Sequence, residues 1–303
     1  MSQRDWLRLP DGTIRAPWQV AVFGAAVFGA AYLVAIFGLS IAMATPMVAW
    51  ARLSGASLSQ IASLVAIVLA TWFTGRQFPA REGSVWKQIG LGRDAWRLTP
   101  NLVALGVGAA VVAVPALTAV ALGGARFEPA TATDSVGAIA FRAFALMFPA
   151  AWNEELLFRG FAFTVMMGAI GAPRTIGITS AIFGAAHVFN PDPTVVSTIA
   201  VACAGAFLAW VRVATGSLVA AFGAHFAINF MQAVVLHAPV SGLALQTPGY
   251  RYVASGPAWL TGGEWGPEGG LAFVGAMLAA TFLCYRRPLA AAAQSDDSTV
   301  TNR

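Results

Sequence analysis

The sequence predicts an all-α fold: a polytopic bundle of transmembrane helices with about eight spans and both termini in the cytoplasm. Of the 303 residues, 58% are hydrophobic and only 10% are charged, whereas a soluble domain carries about 25% charged residues. The hydrophobic residues form runs close to the ~20 residues that a helix needs to cross the ~30 Å hydrocarbon core of a bilayer. The net charge of +5 does not indicate nucleic-acid binding, because the basic residues lie between these runs, where membrane topology accounts for them.

Eight apolar segments follow one another along the chain, separated by Gly, Pro and charged residues. They are 18–45, 57–75, 101–122, 136–170, 175–189, 194–214, 216–237 and 269–285. The segment 136–170 is too long for one perpendicular crossing, and Pro149 and Gly160 are the positions where we expect it to bend. The two cysteines, Cys203 and Cys284, lie in apolar segments, so no disulfide framework or thiolate metal site is predicted.

The basic residues are distributed unequally between the two sides of such a bundle. With both termini inside, thirteen of the eighteen Lys and Arg residues fall in cytoplasmic segments, three fall outside and two lie within spans. This asymmetry follows the positive-inside rule and supports an even number of spans. The loop 76–100, with five basic residues and two tryptophans, is typical of a cytoplasmic loop on anionic headgroups. We expect the lipid bilayer as a partner and a multi-pass location in the cell (inner or plasma) membrane.

Ionisable residues are rare inside the predicted spans and cluster in the second half of the chain, as Arg142, Glu154, Glu155, Arg159, His187, His225 and His237. A charge at the bilayer centre is costly even on the mildest scales, so such a group is paired, hydrated or used. Glu155 and Arg159 are four residues apart and share a helix face, so we expect them to pair. Glu154 is turned about 100° from Glu155, which leaves it available for another task.

Two later segments each carry another polar pair at helical spacing. Phe183 and His187 are four residues apart, and so are His225 and Asn229. We expect three helices to bring the three pairs to one interior pocket. For any single histidine or asparagine, an interhelical hydrogen bond is the default explanation, and the joint occurrence of the pairs is what favours a site.

Simpler explanations exist for the charged residues as well. A structural ion pair explains Glu155 and Arg159 at least as well as direct catalysis does. Arg142 is expected to snorkel or to pair structurally, and His237 is expected at a membrane interface.

A pocket with these groups suits the attack of water on a carbonyl. A glutamate can act as the general base, and a histidine can orient the same water or donate to the leaving amine. A second histidine and an asparagine amide offer N–H groups to a developing oxyanion. Glu154, His187 and His225 could equally hold a divalent metal such as zinc, with a water in the open position. No His-Glu-x-x-His sequence is present, so the common zinc-protease helix is absent.

The three pairs form three motifs: Glu154-Glu155-x-x-x-Arg159, Phe183-x-x-x-His187 and His225-x-x-x-Asn229. In this order on three spans, they resemble the CPBP family, which comprises the CAAX proteases and the bacteriocin-processing, or Abi, enzymes. The stretches 156–160 and 216–230 are also similar to the family. The resemblance covers about residues 140–232.

The resemblance implies an intramembrane endopeptidase that cleaves a peptide or a membrane protein. It implies that Glu154 activates water with the help of His187, and that His225 and Asn229 stabilise the oxyanion. Glu155 and Arg159 would hold the helix and tune the site. Family members are often described as metalloproteases, although a metal-free glutamate mechanism fits the motif residues equally well. The resemblance also implies a site open to the cytoplasm, whereas the charge distribution puts the 190–193 turn outside.

The predicted organisation has five parts: a cytoplasmic N-terminal segment 1–17, variable spans 18–135, a protease-like catalytic core 136–237, an outer loop and last span 238–287, and a disordered cytoplasmic tail 288–303. Two other functions fit the same residues. A proton-coupled transporter also uses buried Glu, His and Arg, but no internal repeat relates the two halves. A non-catalytic membrane scaffold or immunity protein would keep the motifs for packing. The Ala- and Gly-rich composition suggests a bacterial chain. The substrate and the oligomeric state are left open.

Overall fold

The computed structural model describes residues 7–9, 11–44, 48–78, 83–131, 135–245 and 248–285, and the predicted tail 288–303 lies outside these residues. Among these described residues, six helices are long and apolar enough to cross a membrane: Ala16–Ala35, Leu58–Gln77, Leu98–Ala121, Val136–Ile170, Val195–Thr215 and Leu218–Val235. The prediction of an all-α membrane bundle is therefore confirmed. The count of eight spans and the cytoplasmic termini stay predictions.

The secondary structure is mostly helical. The helices are α1 Ala16–Ala44, α2 Val48–Gln77, α3 Leu98–Ala121, α4 Val136–Arg159, α5 Phe161–Ile170, α6 Ala172–Ala186, α7 Val195–Thr215, α8 Leu218–Phe230, α9 Ala258–Thr261 and α10 Leu271–Ala280. Two strands, β1 Ala125–Thr131 and β2 Pro248–Ala254, pair antiparallel. The apolar segments 175–189 and 269–285 correspond to α6 and α10, which are shorter than the six long helices.

The long segment 136–170 is divided at Gly160. Helix α4 ends at Arg159 and α5 begins at Phe161. Gly160 has φ −87° and ψ −123°, and a Cβ added there would overlap the backbone oxygen of Leu156. Only a residue without a side chain fits this turn. The predicted bend at Gly160 is thus confirmed, whereas α4 continues through Pro149 without a break.

Local sequence signals define the ends of α7 and α8. Thr194 caps α7 through a capping box with Ser197, in which each side chain accepts from the backbone N–H of the other. Gly216 ends α7 in the left-handed region with φ +66°, a conformation that glycine adopts at no steric cost. Ser217 then caps α8 by accepting from the backbone N–H of Ala220 at 3.0 Å.

The chain forms two compact units. The first unit comprises Met1–Asp94 and Ala145–Thr175, and the second comprises Ala95–Phe144 and Ile176–Arg303. In the first unit, α1 packs against α2 and α5. Phe23 of α1 and Phe161 of α5 are both buried, with ring centroids 5.4 Å apart.

The second unit has its core between α3, α7, α8 and α10. The fully buried members of this core include Ala104, Val112, Phe207, Leu208, Ala220, Ala221, Ala224 and Phe273. Helices α3 and α8 approach so closely at Gly108 that an added Cβ would overlap the backbone of Ala224. Small residues allow such close approach in membrane helices, and here the approach fixes α8 directly before His225.

Loops that the charge distribution places on one side contact one another within the second unit. β1 follows α3 and pairs with β2 of the 238–268 loop, and both loops are predicted to lie outside. The predicted outer turn 190–193 also contacts this loop, because Asn190 Nδ2 donates to Ser241 O at 3.2 Å. On the predicted inner side, Ser217 Oγ donates to Ala95 O at 2.8 Å. The side of the membrane on which each of these loops lies stays a prediction.

Candidate active site

The first unit contains the glutamate motif on the last two turns of α4. Arg159 Nη1 donates to Glu155 Oε1 at 2.9 Å, and the side chains of Arg159 and Glu155 are 1% and 0% exposed. The i, i+4 spacing therefore produces the predicted pair. A charge buried to this degree needs its partner, because desolvation penalises each charge alone.

Glu154 has a different environment from the glutamate that follows it. Its side chain is half-buried, whereas Glu155 is fully buried. The sequence predicts that Glu154 is directed away from Arg159, and the structure pairs this arginine with Glu155 at 2.9 Å. Glu154 is thus the more accessible of the two carboxylates.

Asn153, one residue before Glu154, belongs to a contact that the sequence reasoning missed. Its Nδ2 donates to both the backbone oxygen and the side-chain Oε1 of Gln60 on α2, at 2.8 and 2.7 Å. Asn153 is 6% exposed. Both residues are neutral amides within predicted spans, and a search for polar rather than ionisable residues would have found them.

The second unit brings two motif histidines to one phenylalanine. Phe183, near the end of α6, is buried, and its ring centroid lies 4.6 Å from that of His187 and 6.1 Å from that of His225. Helix α7 supports this arrangement, since a Cβ at Gly205 would lie 3.2 Å from the Phe183 ring. The second and third motifs therefore meet as predicted.

Backbone contact defines the tautomer of His187, the first residue of a short 3-10 turn after α6. Its Nδ1 lies 2.7 Å from the carbonyl oxygen of Phe183. Because a carbonyl oxygen only accepts, we assign the hydrogen to Nδ1, and Nε2 of the neutral ring is then an acceptor. A histidine in this state can accept a hydrogen bond from a water molecule. The side chain is half-buried and accessible.

His225 and Asn229 occupy one face of α8, as their spacing predicts. His225 is 6% exposed, and Asn229 is half-buried one turn later. Gln232, which follows α8 directly after Phe230 and Met231, is fully buried. Its Nε2 donates to Glu268 Oε2 at 3.0 Å, which links the histidine helix to the 238–268 loop.

Glu268 is a second buried carboxylate that the sequence reasoning missed. Its Oε1 accepts from the backbone N–H of Ser241 at 2.7 Å and from Ser241 Oγ at 2.6 Å. With Gln232, these contacts make a hydrogen-bonded network around a side chain that is 5% exposed. Glu268 lies in a Gly- and Pro-rich loop, where carboxylates are ordinary, so composition alone gave no signal for its burial.

Arg142 and His237 are the other two ionisable residues that the sequence analysis places in the spans. Arg142 is exposed on α4. His237 is buried, and its Nδ1 lies 2.7 Å from the backbone oxygen of Tyr250 in β2. Its ring stacks on the Tyr250 ring with centroids 4.3 Å apart. His237 thus holds β2 against the end of α8, and its predicted place at a membrane interface stays a prediction.

A catalytic zinc site needs three protein ligands of the His, Cys, Asp or Glu type in one group. Among the residues that the structure describes, no three such side chains form a group that could hold a metal ion. The metal set Glu154, His187 and His225 stays a prediction, as does the convergence of Glu154 with the histidines, since Glu154 belongs to the first unit and both histidines belong to the second.

Residues 136–231 match the family described as "Type II CAAX prenyl endopeptidase Rce1-like". The matched segment contains all three motifs, whereas Gln60, Gly108 and Glu268 lie outside it. No curated protein and no solved structure matches the chain. With its long apolar helices, the chain is a multi-pass membrane protein. The match over residues 136–231, about a third of the chain, confirms the resemblance of this segment to the CPBP/CAAX protease family.

Proposed function

We propose that the protein is an intramembrane endopeptidase in which Glu154 activates a water molecule for attack on a peptide carbonyl. The observation that carries the proposal is the match of residues 136–231 to a protease family. That segment contains every residue to which the mechanism gives a role: Glu154, Glu155, Arg159, His187, His225 and Asn229.

In the proposed reaction, Glu154 takes a proton from water while the water oxygen attacks the scissile carbonyl. Nε2 of His187 accepts the second hydrogen of that water, which aims a lone pair of its oxygen at the carbonyl carbon. The N–H groups of His225 and Asn229 donate to the oxyanion of the tetrahedral intermediate. Glu154 then returns its proton to the leaving amine as the carbon–nitrogen bond breaks. Water is consumed, and one carboxyl and one amino terminus are produced.

Glu155 and Arg159 have a supporting role in this mechanism. Their buried pair at 2.9 Å fixes the last turn of α4, so the backbone that carries Glu154 has one orientation. The half-buried position of Glu154 suits a group that has to meet water and substrate. A divalent metal such as zinc, with Glu154, His187 and His225 as candidate ligands, stays the alternative prediction for activating the same water.

The proposed substrate is a peptide or a membrane-associated protein, cleaved at the cell (inner or plasma) membrane. The test compares membrane-fraction proteomes of cells that carry the wild type, Glu154→Ala or Glu264→Ala. Glu264 is an exposed residue of the 238–268 loop and serves as the control. We expect one protein to stay uncut with Glu154→Ala alone. Identical proteomes for all three strains, with equal amounts of the three proteins, would contradict the proposal and favour a non-catalytic scaffold.

A further inference from the structure

The amide group of Asn153, directly before Glu154, is held in one orientation by α2. Nδ2 donates to the backbone oxygen of Gln60 at 2.8 Å and to its side-chain Oε1 at 2.7 Å. An asparagine amide has two N–H donors, so these two acceptors use both. The orientation of the amide is therefore determined, with Nδ2 turned toward Gln60 and Oδ1 turned away from it. All of these groups lie in the first unit.

The Oδ1 end of the same amide is a buried acceptor. Asn153 is 6% exposed, and Oδ1 has no hydrogen-bond partner among the residues that the structure describes. A buried acceptor that has lost its hydrogen bonds to water is unfavourable unless a donor replaces them. Such a group therefore marks a position where a ligand supplies the donor.

We propose that Asn153 is a substrate-binding residue whose Oδ1 accepts a hydrogen bond from a backbone N–H of the bound peptide. The role rests on the proposed function. A peptide offers an N–H at every residue except proline, whatever its side chain, so this acceptor recognises the backbone rather than one sequence. Because Asn153 and Glu154 are consecutive, their Cα atoms lie about 3.8 Å apart. Their side chains are turned about 100° from each other around α4, so the test below identifies which backbone N–H of the substrate binds Asn153.

Gln60 is a positioning residue in this proposal. Gln60 forms hydrogen bonds with Asn153 and acts by fixing the direction of Asn153 Oδ1. Since the backbone oxygen of Gln60 remains in any variant, Gln60→Ala removes one of the two anchors of the amide. We therefore expect a smaller loss for Gln60→Ala than for Asn153→Ala. Gln60 lies outside the matched segment 136–231, so the support of the substrate-binding amide includes an N-terminal span.

The test measures coupling between Asn153 and single backbone N–H groups of a substrate. Purified full-length protein in detergent is assayed with farnesylated CAAX peptides, each N-methylated at one peptide bond near the scissile bond. We expect Asn153→Ala to lower kcat/KM for the unmethylated peptide about tenfold, the scale of one lost hydrogen bond. At one position, N-methylation should slow cleavage by the wild type about tenfold. The same N-methylation should cause no further loss in Asn153→Ala, which already lacks the acceptor.

Asn101→Ala is the matched control. Asn101 also donates from Nδ2 to a backbone oxygen, that of Ala95 at 3.0 Å, but its Oδ1 lies 3.4 Å from the donor Ser217 Oγ. The loss of kcat/KM from Asn101→Ala should be independent of the loss from each N-methylation, so the two fold-changes should multiply at every position. If the effects of Asn153→Ala also multiply at every position, Asn153 is a structural clamp and the inference is wrong, although the proposed function stands. If Glu154→Gln cleaves the peptide as fast as the wild type, the proposed function itself is wrong.

Thermal unfolding separates the two roles without an activity assay. In the double variant Asn153→Leu/Gln60→Leu, both polar side chains are replaced by apolar ones of similar volume. If the buried, unpartnered Oδ1 offsets the two hydrogen bonds that Nδ2 makes with Gln60, the unfolding temperature of the double variant should equal or exceed that of the wild type. A lower unfolding temperature would show that the protein keeps the amide pair for its fold, and would overturn the inference.

Discussion

Arg159 Nη1 lies 2.9 Å from Glu155 Oε1, both side chains are almost completely buried, and Glu155 directly follows Glu154 in α4. Two adjacent carboxylates on one helix thus differ in environment: Glu155 is enclosed with a cation, and Glu154 is half-buried. This asymmetry separates the role of a structural ion pair from the role of a catalytic base. It also makes the two glutamates respond differently to the same substitution.

Removal of one partner of the Glu155–Arg159 pair leaves the other charge buried and uncompensated. We expect Glu155→Gln and Arg159→Met each to lower the free energy of unfolding by about 3–5 kcal/mol. The double variant Glu155→Leu/Arg159→Met removes both charges and should recover most of this loss. Thermal or denaturant unfolding in detergent measures it. Equal stability of both single variants and the wild type would contradict a buried ion pair.

The close approach of α3 to α8 predicts a sharp difference between two glycines of α3. A Cβ at Gly108 would overlap the backbone of Ala224, next to His225, whereas a Cβ at Gly106 meets nothing within 4 Å. We expect Gly108→Ala to destabilise the protein by about 1–3 kcal/mol, the scale of overpacking, and to slow cleavage by shifting His225. Gly106→Ala should match or exceed wild-type stability, since alanine favours helix. Similar unfolding temperatures for the two variants would refute this packing.

The Glu268 network links the end of the histidine helix to the 238–268 loop. Glu268→Ala leaves Gln232 Nε2 and Ser241 Oγ without their common acceptor. We expect a loss of about 1–3 kcal/mol in the free energy of unfolding, the cost of orphaned buried groups. Glu264→Ala, on an exposed residue of the same loop, should change it by less than about 0.5 kcal/mol. If Glu268→Ala and Glu264→Ala both have the free energy of unfolding of the wild type, the network adds no stability.

The β1–β2 ribbon contains a pH-dependent contact outside the spans. Hydrogen bonds from Arg126, and secondarily from Arg251, hold the pKa of Glu128 below its ordinary value of 4.5. A lowered pKa in the folded state stabilises the ribbon above pH 4.5, and this contribution disappears as the pH falls through the lower, folded value. We expect Glu128→Gln to speed amide exchange in β2 near neutral pH but not in strong acid, with a smaller effect at high salt. If the ratio of the amide exchange rates of Glu128→Gln and the wild type does not change with pH, the ion pair between Glu128 and the two arginines does not stabilise the ribbon.

Much of the fold and of the motif geometry could be predicted from the sequence, because membrane burial leaves strong local signals. Hydrophobic runs predict the helices, and the i, i+4 rule predicts the Glu155–Arg159 pair and the shared face of His225 and Asn229. Gly160 has its predicted effect, since the backbone there has no room for a Cβ. Pro149 does not break its helix, since proline in a membrane helix is tolerated where neighbours satisfy the backbone.

The contacts that sequence reasoning missed join residues far apart in the chain. Gln60 meets Asn153 across 93 positions, and Gln232 meets Glu268 across 36. No helical period encodes such distances, and neutral amides carry little penalty that would single them out in an apolar segment. Gly108 is one glycine among 31, and only the packed position of α8 shows why a side chain cannot be added there.

The central claim is that Glu154 is the base that activates water. The most direct measurement is kcat/KM of purified Glu154→Gln on the substrate that the membrane-fraction comparison identifies, with Glu264→Gln as the control. We expect a loss of about 10²–10⁴-fold, the contribution of a general base, while Glu154→Gln unfolds at the wild-type temperature and Glu264→Gln cleaves at the wild-type rate. Cleavage by correctly folded Glu154→Gln at the wild-type rate would contradict the account.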